Sequence, residues 1–311
     1  MTPLPSGFHI HYLHGGKASY PEVAAYRQFF GSHCTTSEGA IDAVPKQVPP
    51  ANLILWQVMG FYPRRVPARL TIHDYRSLSV GTWSGLKDLA KRTLNATPDI
   101  RIFQNEAICR RMVFDDTATT VLLPMGVPDW IFDLRRQAET TRYDFGYVGA
   151  ISEERGFGKV LRAFVEAYLG ERSLLLIGPA EPAIAAAFGG APGITFAGPL
   201  TQREALLRLL EAQVAICPVP AGPPFDWQTP TKLLEYAALG MPILANDSPT
   251  NLETLEALNI RALLQDESLF SAAPDPAACP DNRDCDVRHL TFDKIIADSG
   301  IVDQIFTRLA A

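Results

Sequence analysis

Short apolar runs alternate with amphipathic segments along almost the whole chain. In the first half, the runs FHIHYLH, NLILWQV, ARLTIHD, IRIFQN and TVLLPMG have the length and flanking residues of buried strands. Segments with helical periodicity lie between them, including PEVAAYRQFF, SGLKDLAKRTL and NEAICRRM. Parallel strands need a crossover connection, which is usually a helix, so this alternation is typical of a parallel sheet. We therefore predict a doubly wound α/β domain at residues 1–132.

The same alternation restarts after a polar stretch. We predict a linker at residues 133–142, a second doubly wound domain at 143–270, and an irregular segment followed by C-terminal helices at 271–311. The second domain has strand-like runs from YDFGYVG to RALLQD, with helical segments such as GKVLRAFVEAYL between them. Two such domains would enclose a cleft at the carboxyl ends of their strands, where doubly wound sheets bind ligands.

Composition and charge narrow the class of partner. The 311 residues carry a formal net charge of -6, which gives no general reason to bind nucleic acid. The N-terminal residues MTPLPSGFHIHYLHGG have no basic region followed by a long apolar run, so we expect no signal peptide there. No later run is long and apolar enough for a membrane span. We expect a cytoplasmic protein, with transient peripheral contact at the inner face of a membrane as an alternative.

The metal-ligating residue types are scattered along the chain. The five cysteines are dispersed, which fits reduced thiols, and the segment CPDNRDCDVRH matches no common zinc spacing. His9 and His11 would share one face of a strand, but no third ligand follows at a useful spacing. We therefore expect no metal site.

The segment TPTKLLEYAALGMP has the signals of one short helix. Thr229 is suited to cap its start, Pro230 to occupy the first helical position, and Gly240 to form the left-handed stop. Lys232 then lies in the first turn, where the helix dipole disfavours a cation by roughly 0.3–1 kcal/mol. Another interaction must therefore favour a lysine at this position.

A bound phosphate would supply that interaction. A lysine beside free N–H groups at a helix start, here with Thr231, suits a phosphate, and Glu235 one turn later suits sugar hydroxyls. The alternative is a surface salt bridge between Lys232 and Glu235 with little energetic effect. On the first interpretation, the helix binds a nucleoside diphosphate sugar.

A longer set of segments resembles a known family. These are DFGYVGAISEERGFGKVLRAF, LLLIGPA, ITFAGPLTQREALLRLLEAQVAICPVP and TPTKLLEYAALGMPILAND, in that order over roughly residues 143–267. Together they resemble the C-terminal nucleotide-binding domain of GT-B glycosyltransferases, most closely the retaining family 4, or glycosyl transferases group 1. The first half is similar to the family more loosely, through HYLHGG and LTIHD. The resemblance implies two Rossmann-like doubly wound domains that face each other across a cleft.

The resemblance also implies roles for particular residues. Arg155 and Lys232 match cations that hold the donor diphosphate, and Glu235 matches the glutamate that holds the ribose. Gly15 and Gly16 match a glycine-rich loop near the phosphates, although an ordinary turn is an alternative.

The catalytic assignments follow from strand ends and from the resemblance. His73 ends a predicted strand together with Asp74, and the resemblance implies that His73 contacts the donor sugar near the reacting bond. A histidine hydrogen-bonded in the core is the alternative. The resemblance implies retention of configuration without a dedicated base; if the reaction inverts, Asp74 or His14 is the candidate base.

Two positions depart from the pattern of similar proteins. Ala150 follows Gly149 where similar proteins often carry an arginine, so one phosphate contact is missing. Trp227 stands where they carry a second glutamate. Asp226 would substitute for that carboxylate if the loop is shifted by one residue, and Trp227 would then stack on a sugar or base; loop packing is the alternative for both.

The expected activity is transfer of a sugar from a nucleoside diphosphate sugar to a glycan, lipid-linked or small-molecule acceptor, as in polysaccharide biosynthesis. We expect no cofactor, since the nucleotide sugar is a co-substrate. No DxD segment lies at a plausible strand end, so a metal need not neutralise the diphosphate. The alternatives are a GT-B nucleotide sugar 2-epimerase and a noncatalytic nucleotide-sugar-binding scaffold subunit. A dehydrogenase is disfavoured because neither half opens with G-x-G-x-x-G.

Overall fold

The computed structural model of the chain describes residues 7–16, 20–58, 60–81, 83–135 and 141–310. The chain divides into two compact units. Unit 1 comprises residues 1–126 and 290–311, and unit 2 comprises residues 127–289. Each unit contains a six-stranded sheet in which every paired strand is parallel.

The strands of unit 1 follow the order β2-β1-β3-β4-β5-β6 across the sheet. Their bounds are β1 His9–Leu13, β2 Thr35–Gly39, β3 Leu53–Val58, β4 Leu70–Tyr75, β5 Ile100–Phe103 and β6 Thr119–Leu122. The order reverses direction between β1 and β3. Loops that leave the carboxyl ends of these two strands run to opposite faces of the sheet, so a crevice opens between them.

Unit 2 has the order β12-β11-β10-β7-β8-β9. Its strands are β7 Tyr143–Val148, β8 Leu174–Ile177, β9 Ile194–Gly198, β10 Ala212–Cys217, β11 Ile243–Asn246 and β12 Leu263–Gln265. This is the order of a dinucleotide-binding doubly wound sheet, and its switch point lies between β7 and β10.

The helices flank these sheets. Their bounds are α1 Pro21–Gly31, α2 Ser84–Leu94, α3 Glu106–Arg111, α4 Ile131–Leu134, α5 Phe157–Tyr168, α6 Pro182–Phe188, α7 Gln202–Leu209, α8 Thr231–Leu239, α9 Pro249–Leu258, α10 Phe292–Asp298 and α11 Ile301–Ala310. Gly300 adopts a left-handed conformation between the last two helices, as the predicted helix break requires.

Most of the apolar runs form the predicted strands, but one strand carries no such signal. The edge strand β2 reads TTSEG and is only partly buried, so its pairing with β1 comes from the tertiary structure rather than from an apolar run. The predicted start of α8 is also displaced. Pro230 is the residue before the helix and Thr231 is its first residue, so Thr229 does not cap it.

The unit boundaries differ from the predicted domain boundaries. Unit 2 begins at Val127, so the predicted linker at 133–142 lies within it; residues 136–140 are outside the described residues. The predicted C-terminal segment 271–311 is divided at residue 290. Its first part belongs to unit 2 because the fully buried Asn282 bonds backbone groups of Met241 and Arg261. Its helical part packs on unit 1 through apolar residues such as Phe292, beside Gly126.

Candidate functional site

The carboxyl edge of the unit 2 sheet brings a lysine to the switch point. Gly149 follows β7 with φ of +143°, and a Cβ atom there would lie 2.8 Å from Lys232 Cε. The lysine chain therefore passes over the end of β7 where only glycine leaves room. Lys232 Nζ lies 5.2 Å from the centroid of the Tyr147 ring, a cation–π distance. This contact fixes the ammonium group beside the first turn of α8.

A second cation comes from the loop between β7 and α5. Residues Glu153–Arg155 form a single 3-10 turn, and Gly156 ends it in the left-handed conformation before α5 begins. The guanidinium carbon of Arg155 lies 5.4 Å from the centroid of the Phe225 ring. Phe225 belongs to the loop after β10, so the contact joins the two loops on either side of the switch point.

Arg155 and Lys232 act on the same buried group. Burial raises the pKa of the Cys217 thiol to about 12, and the charges of Lys232 and Arg155 partly oppose that rise. Cys217 is the last residue of β10. Within the described residues, neither cation has a carboxylate within 4.0 Å. Two partly buried cations thus lie beside the switch point, and neither forms an ion pair with a described carboxylate, which favours an anionic ligand.

Glu235 lies one turn beyond Lys232 and is already hydrogen-bonded. Gln202, the first residue of α7, donates its Nε2 hydrogen to Glu235 Oε1 at 2.7 Å. Burial raises the pKa of Glu235, whereas the Gln202 hydrogen bond and the Lys232 charge lower it. The sequence around Gln202 carries no signal for this contact other than its place beside the capping box of Thr201 and Glu204.

The loop after β10 carries the aspartate that was predicted to substitute for a missing glutamate. Asp226 Oδ1 accepts a hydrogen bond from Gly222 N at 3.0 Å, so this oxygen stabilises the loop. In the part of the chain that the structure describes, Asp226 Oδ2 has no hydrogen-bond partner. Asp226 therefore keeps one oxygen for a ligand.

Ala150 continues the chain after Gly149, and its carbonyl accepts the Tyr147 hydroxyl hydrogen.

Two buried asparagines hold this loop in place. Asn246, at the end of β11, bonds both backbone polar groups of Val219 at 2.8 Å. The side chain of Asn251 donates to Asn246 Oδ1 at 2.9 Å and also to the Cys217 carbonyl at 3.2 Å. Neither asparagine was predicted as a site residue. A polar residue that ends an otherwise apolar strand, as in ILAN, was the available signal.

Unit 1 has a cavity of 560 Å³ at its own switch point. The cavity lies between the loop after β1 and the loop after β3. Its lining includes His14, Gly15, Gln57 and Tyr62. Gly16 N donates a hydrogen bond to His14 Nδ1 at 3.2 Å, and Gly16 has φ of +65°. Gly15 and His14 therefore face a small-molecule-sized space, whereas the Gly16 N–H is already bonded.

His73 lies inside the sheet of unit 1. Its side chain is buried, with its ring centroid 5.8 Å from that of Tyr62, which lines the cavity. Burial, reinforced by the charge of Arg101, lowers the pKa of His73 to about 3, so the imidazole is neutral. His73 therefore stands behind Tyr62, one side chain away from the cavity.

Asp74 faces the opposite side of the same strand. It accepts hydrogen bonds from Trp56 Nε1 at 3.0 Å and Tyr26 Oη at 3.2 Å, and its Oδ1 lies 3.0 Å from Arg76 Nε. Burial raises the pKa of Asp74 well above its ordinary value. Both oxygens thus face buried partners, and the residue does not line the cavity.

The predicted histidine pair lies on β1, next to the edge strand of the unit 1 sheet. Both nitrogens of His9 and Nδ1 of His11 lie 2.7–2.8 Å from the hydroxyls of Thr35 and Ser37 on β2. The described part of the chain has no cluster of three or more His, Cys, Asp or Glu side chains that would hold a metal ion. Within the same residues, no helix is long and apolar enough to cross a membrane.

Comparison with known proteins links this geometry to one class of proteins. Residues 142–274, which form most of unit 2, match the family model of glycosyl transferases group 1. No curated protein sequence matches the chain. A solved sucrose-phosphate synthase from Thermosynechococcus elongatus superposes with a TM-score of 0.67 at 16% identity, over 96% of this chain and 99% of that chain. The fold is GT-B.

Two further GT-B structures are similar over almost their whole length. AviGT4, a glycosyltransferase involved in avilamycin A biosynthesis, has a TM-score of 0.59 at 14% identity, over 97% of this chain and 98% of that chain. Anabaena HepE, solved in complex with UDP and glucose, has a TM-score of 0.57 at 12% identity, over 97% of this chain and 99% of that chain. At these identities the structural likeness establishes the fold, and the group 1 match establishes the resemblance of unit 2.

The GT-B chain brings only some of the predicted site residues together. Thr231 and Lys232 share the first turn of α8, Glu235 follows in the next turn, and Arg155 approaches Phe225, the neighbour of Asp226. Gly15, Gly16, His73 and Asp74 belong to unit 1, where only Gly15 lines the cavity. Their assignments to the donor phosphate, the donor sugar and general base catalysis stay predictions.

Proposed function

We propose that this GT-B protein is a glycosyltransferase that binds a nucleoside diphosphate sugar at the carboxyl edge of the unit 2 sheet. The observation that carries the proposal is the pair of cations Arg155 and Lys232, neither in an ion pair with a described carboxylate, beside the switch point between β7 and β10. A diphosphate is the ligand that uses both positive charges together with the N–H groups of α8.

The resemblance supports the same ligand. The matched family, glycosyl transferases group 1, covers the strands and loops that carry both cations. HepE, which shares the fold, binds UDP and UDP-glucose in its solved complexes. A nucleoside diphosphate sugar is therefore the donor class that the site is proposed to accept.

Each group of the proposed donor site has a chemical role. Arg155 and Lys232 stabilise the leaving diphosphate as its charge develops, and Thr231 adds the first N–H group of α8. Glu235 accepts hydrogen bonds from the ribose hydroxyls. Because Gln202 occupies Glu235 Oε1, the ribose must use the other oxygen or displace the amide.

We also propose that the reaction needs no metal ion and retains the configuration of the transferred sugar. Two side-chain cations already supply positive charge at the diphosphate, so transfer proceeds without a metal ion. The configuration at the anomeric carbon is retained, with the leaving phosphate accepting the proton of the acceptor hydroxyl. If the reaction inverts instead, His14 is the better placed candidate base, since it lines the cavity and Asp74 does not, but its Nδ1 must first release the Gly16 N–H.

One observation favours a second candidate function. Ala150 and Trp227 stand where similar proteins carry charged residues, so the chain would bind the donor with fewer charged groups around the reacting sugar. A noncatalytic subunit that binds a nucleotide sugar is the resulting alternative. Donor binding without sugar transfer or donor hydrolysis would identify it.

Calorimetric titration of UDP, GDP, dTDP, ADP and CMP tests the donor site. We expect one nucleoside diphosphate to bind selectively, and Lys232→Ala and Glu235→Ala each to weaken it roughly tenfold, since a charged hydrogen bond contributes about 1.5–3 kcal/mol. Lys294→Ala is the control, because Lys294 pairs with Asp298 on α10 in unit 1. If no nucleotide binds, or if all three variants bind equally, the transferase proposal is wrong.

A further inference from the structure

The cavity of unit 1 is lined mainly by hydrocarbon. Leu13, Pro63 and Val66 contribute to its lining together with the ring of Tyr62. The Tyr62 hydroxyl does not offer a free donor, because it lies 3.1 Å from the Val58 carbonyl and 3.3 Å from the Leu13 carbonyl. Tyr62 N also donates to Asn95 Oδ1 at 2.7 Å. This wall of the cavity is therefore fixed in position and apolar toward the space.

Two exposed apolar side chains extend this lining. Ile41 is 44% exposed and Phe61 is 51% exposed, and both contribute to the cavity. They lie on different segments, one after β2 and the other after β3. Large exposed apolar side chains around one concave space are typical of a ligand site rather than of ordinary surface.

One polar side chain of the cavity is largely buried but leaves its amide accessible. Gln57, near the end of β3, is 3% exposed and contributes to the lining. Among the described residues, none forms a hydrogen bond with its side-chain amide. The amide atoms are not among the fully buried polar atoms that lack a partner, so they stay accessible to a ligand that can pair with them. Leu13 and Gln57 thus form the most buried part of the cavity, and the other polar side chains of its lining, those of His14, Tyr20 and Arg64, are more exposed.

These features distinguish between classes of acceptor. A sugar that entered this space would place several hydroxyls against hydrocarbon, and each one without a partner weakens binding by roughly tenfold or more. A planar ring compound with one carbonyl at its inner end would leave no polar group without a partner. The volume of 560 Å³ falls within the usual range for small-molecule sites. Arg64 also lines the cavity, but it is exposed, so its charge is hydrated in the absence of ligand.

We propose that unit 1 binds an acceptor of the apolar ring class, whose inner carbonyl or hydroxyl pairs with Gln57 and whose outer hydroxyl receives the sugar. The acceptor role rests on the proposed glycosyltransferase function, whereas the binding site itself rests on the cavity. His14 lies in the lining of the same cavity, where its Nε2–H can donate to the outer hydroxyl, since Nδ1 already accepts from Gly16 N.

Equilibrium dialysis of the full chain with 4-methylumbelliferone tests this proposal. This probe is a flat bicyclic compound with a carbonyl at one end and a hydroxyl at the other. We expect saturable binding that is weakened roughly threefold to tenfold by Ile41→Ser, which removes apolar contact, and by Gln57→Leu, which leaves the carbonyl unpaired. Val113→Ser is the matched control, because Val113 is also an exposed apolar residue of unit 1 but does not line the cavity.

A second probe separates loss of a hydrogen bond from loss of structure. 2-Naphthol has the same bicyclic shape without the carbonyl, so Gln57→Leu should leave its binding unchanged within about twofold. Equal weakening of both probes by Gln57→Leu would contradict the pairing. Absence of saturable binding, or tighter binding of glucose 6-phosphate that depends on Arg64, would overturn the apolar class.

Failure of this proposal is distinguishable from failure of the donor site. If UDP or another nucleoside diphosphate binds in a Lys232-dependent manner while neither ring compound binds, the acceptor class is wrong and the donor site stands. If no nucleoside diphosphate binds, both the acceptor role and the transferase proposal are wrong.

Discussion

The two units build sheets of the same size from different buried chemistry. In unit 1, the strand β4 buries His73 and Asp74, with Arg76 directly after it, and all three are at most 3% exposed. In unit 2, the strand β8 is Leu-Leu-Leu-Ile and joins a core of packed aliphatic and aromatic side chains. Unit 1 thus uses charge inside its fold, whereas the charges of Arg155 and Lys232 lie at the edge of unit 2, where a ligand can reach them.

The difference explains why the two halves resemble the family to different degrees. A hydrocarbon core tolerates many apolar sequences, so the recognisable residues of unit 2 are its loop glycines and edge cations. In unit 1, three histidines on strands, His9, His11 and His73, are buried. The pair His73 and Asp74 at the end of β4 is compatible with a structural role and with a catalytic role. The motif alone therefore does not distinguish the two roles.

The largest expected effect comes from breaking the buried charge cluster of unit 1. Asp74→Ala removes the carboxyl group 3.0 Å from Arg76 Nε and leaves the buried Glu22 as the remaining acid whose charge acts on Arg76, which should destabilise unit 1 by about 3 kcal/mol. Native-state hydrogen exchange, measured on peptides from each unit, should show the loss in unit 1.

Glu106→Ala is the matched control, since Glu106 pairs with Arg110 on the surface. Such exposed pairs contribute about 0–1 kcal/mol. If both variants lose equally little stability, the buried cluster does not hold the fold of unit 1.

A smaller effect is expected from a glycine of unit 2. Gly149→Ala places a side chain at φ of +143° and against Lys232 Cε, so we expect a loss of about 1–3 kcal/mol and displacement of the lysine. Weakened nucleotide binding should accompany the lower melting temperature. Gly190→Ala should have little effect on either quantity, because an added Cβ atom there meets no atom within 4 Å.

The smallest of these effects is the acid sensitivity of unit 1. Since burial lowers the pKa of His73 to about 3, the unfolded chain binds more protons between that value and the ordinary 6.5. Stability must therefore fall as the pH falls through this range, by about 1–2 kcal/mol from about pH 7 to about pH 5. His9 and His11, whose pKa values are also lowered, act in the same direction.

Denaturant titration at both pH values, compared with His73→Gln, measures this contribution. The variant should lose a smaller part of its stability on acidification, because it removes the most strongly shifted histidine. A variant as acid-sensitive as the wild type would show that His73 is already protonatable in the folded chain.

Local sequence patterns predicted the elements that local physics determines. The helix break at Gly300 and the apolar strands could be read because a glycine stop and a buried run need no knowledge of distant residues. The strand β2 could not, since its TTSEG sequence is held in the sheet by pairing with β1. The observed helix α8 begins one residue later than predicted, because proline is compatible with both the position before a helix and its first position.

The sequence predicted those site residues whose type is unusual at their own position in a local element. Lys232 conflicts with the helix dipole in its first turn, and that local conflict indicated a ligand. Gln202 and Gln57 carry no such local signal: one acquires its role by contact with Glu235, and the other by lining a cavity between two loops. Only the folded chain brings these groups together.

The most direct test of the central claim is a double-mutant cycle on Arg155 and Lys232. The ligands are the nucleoside diphosphate that binds best and its parent nucleoside. The account predicts that each substitution to alanine weakens the diphosphate roughly tenfold and that the nucleoside is unaffected within about twofold. A coupling between the two variants is expected, because both cations hold one diphosphate. Equal weakening of nucleoside and diphosphate, or no weakening of either, would contradict the assignment of these cations to a diphosphate.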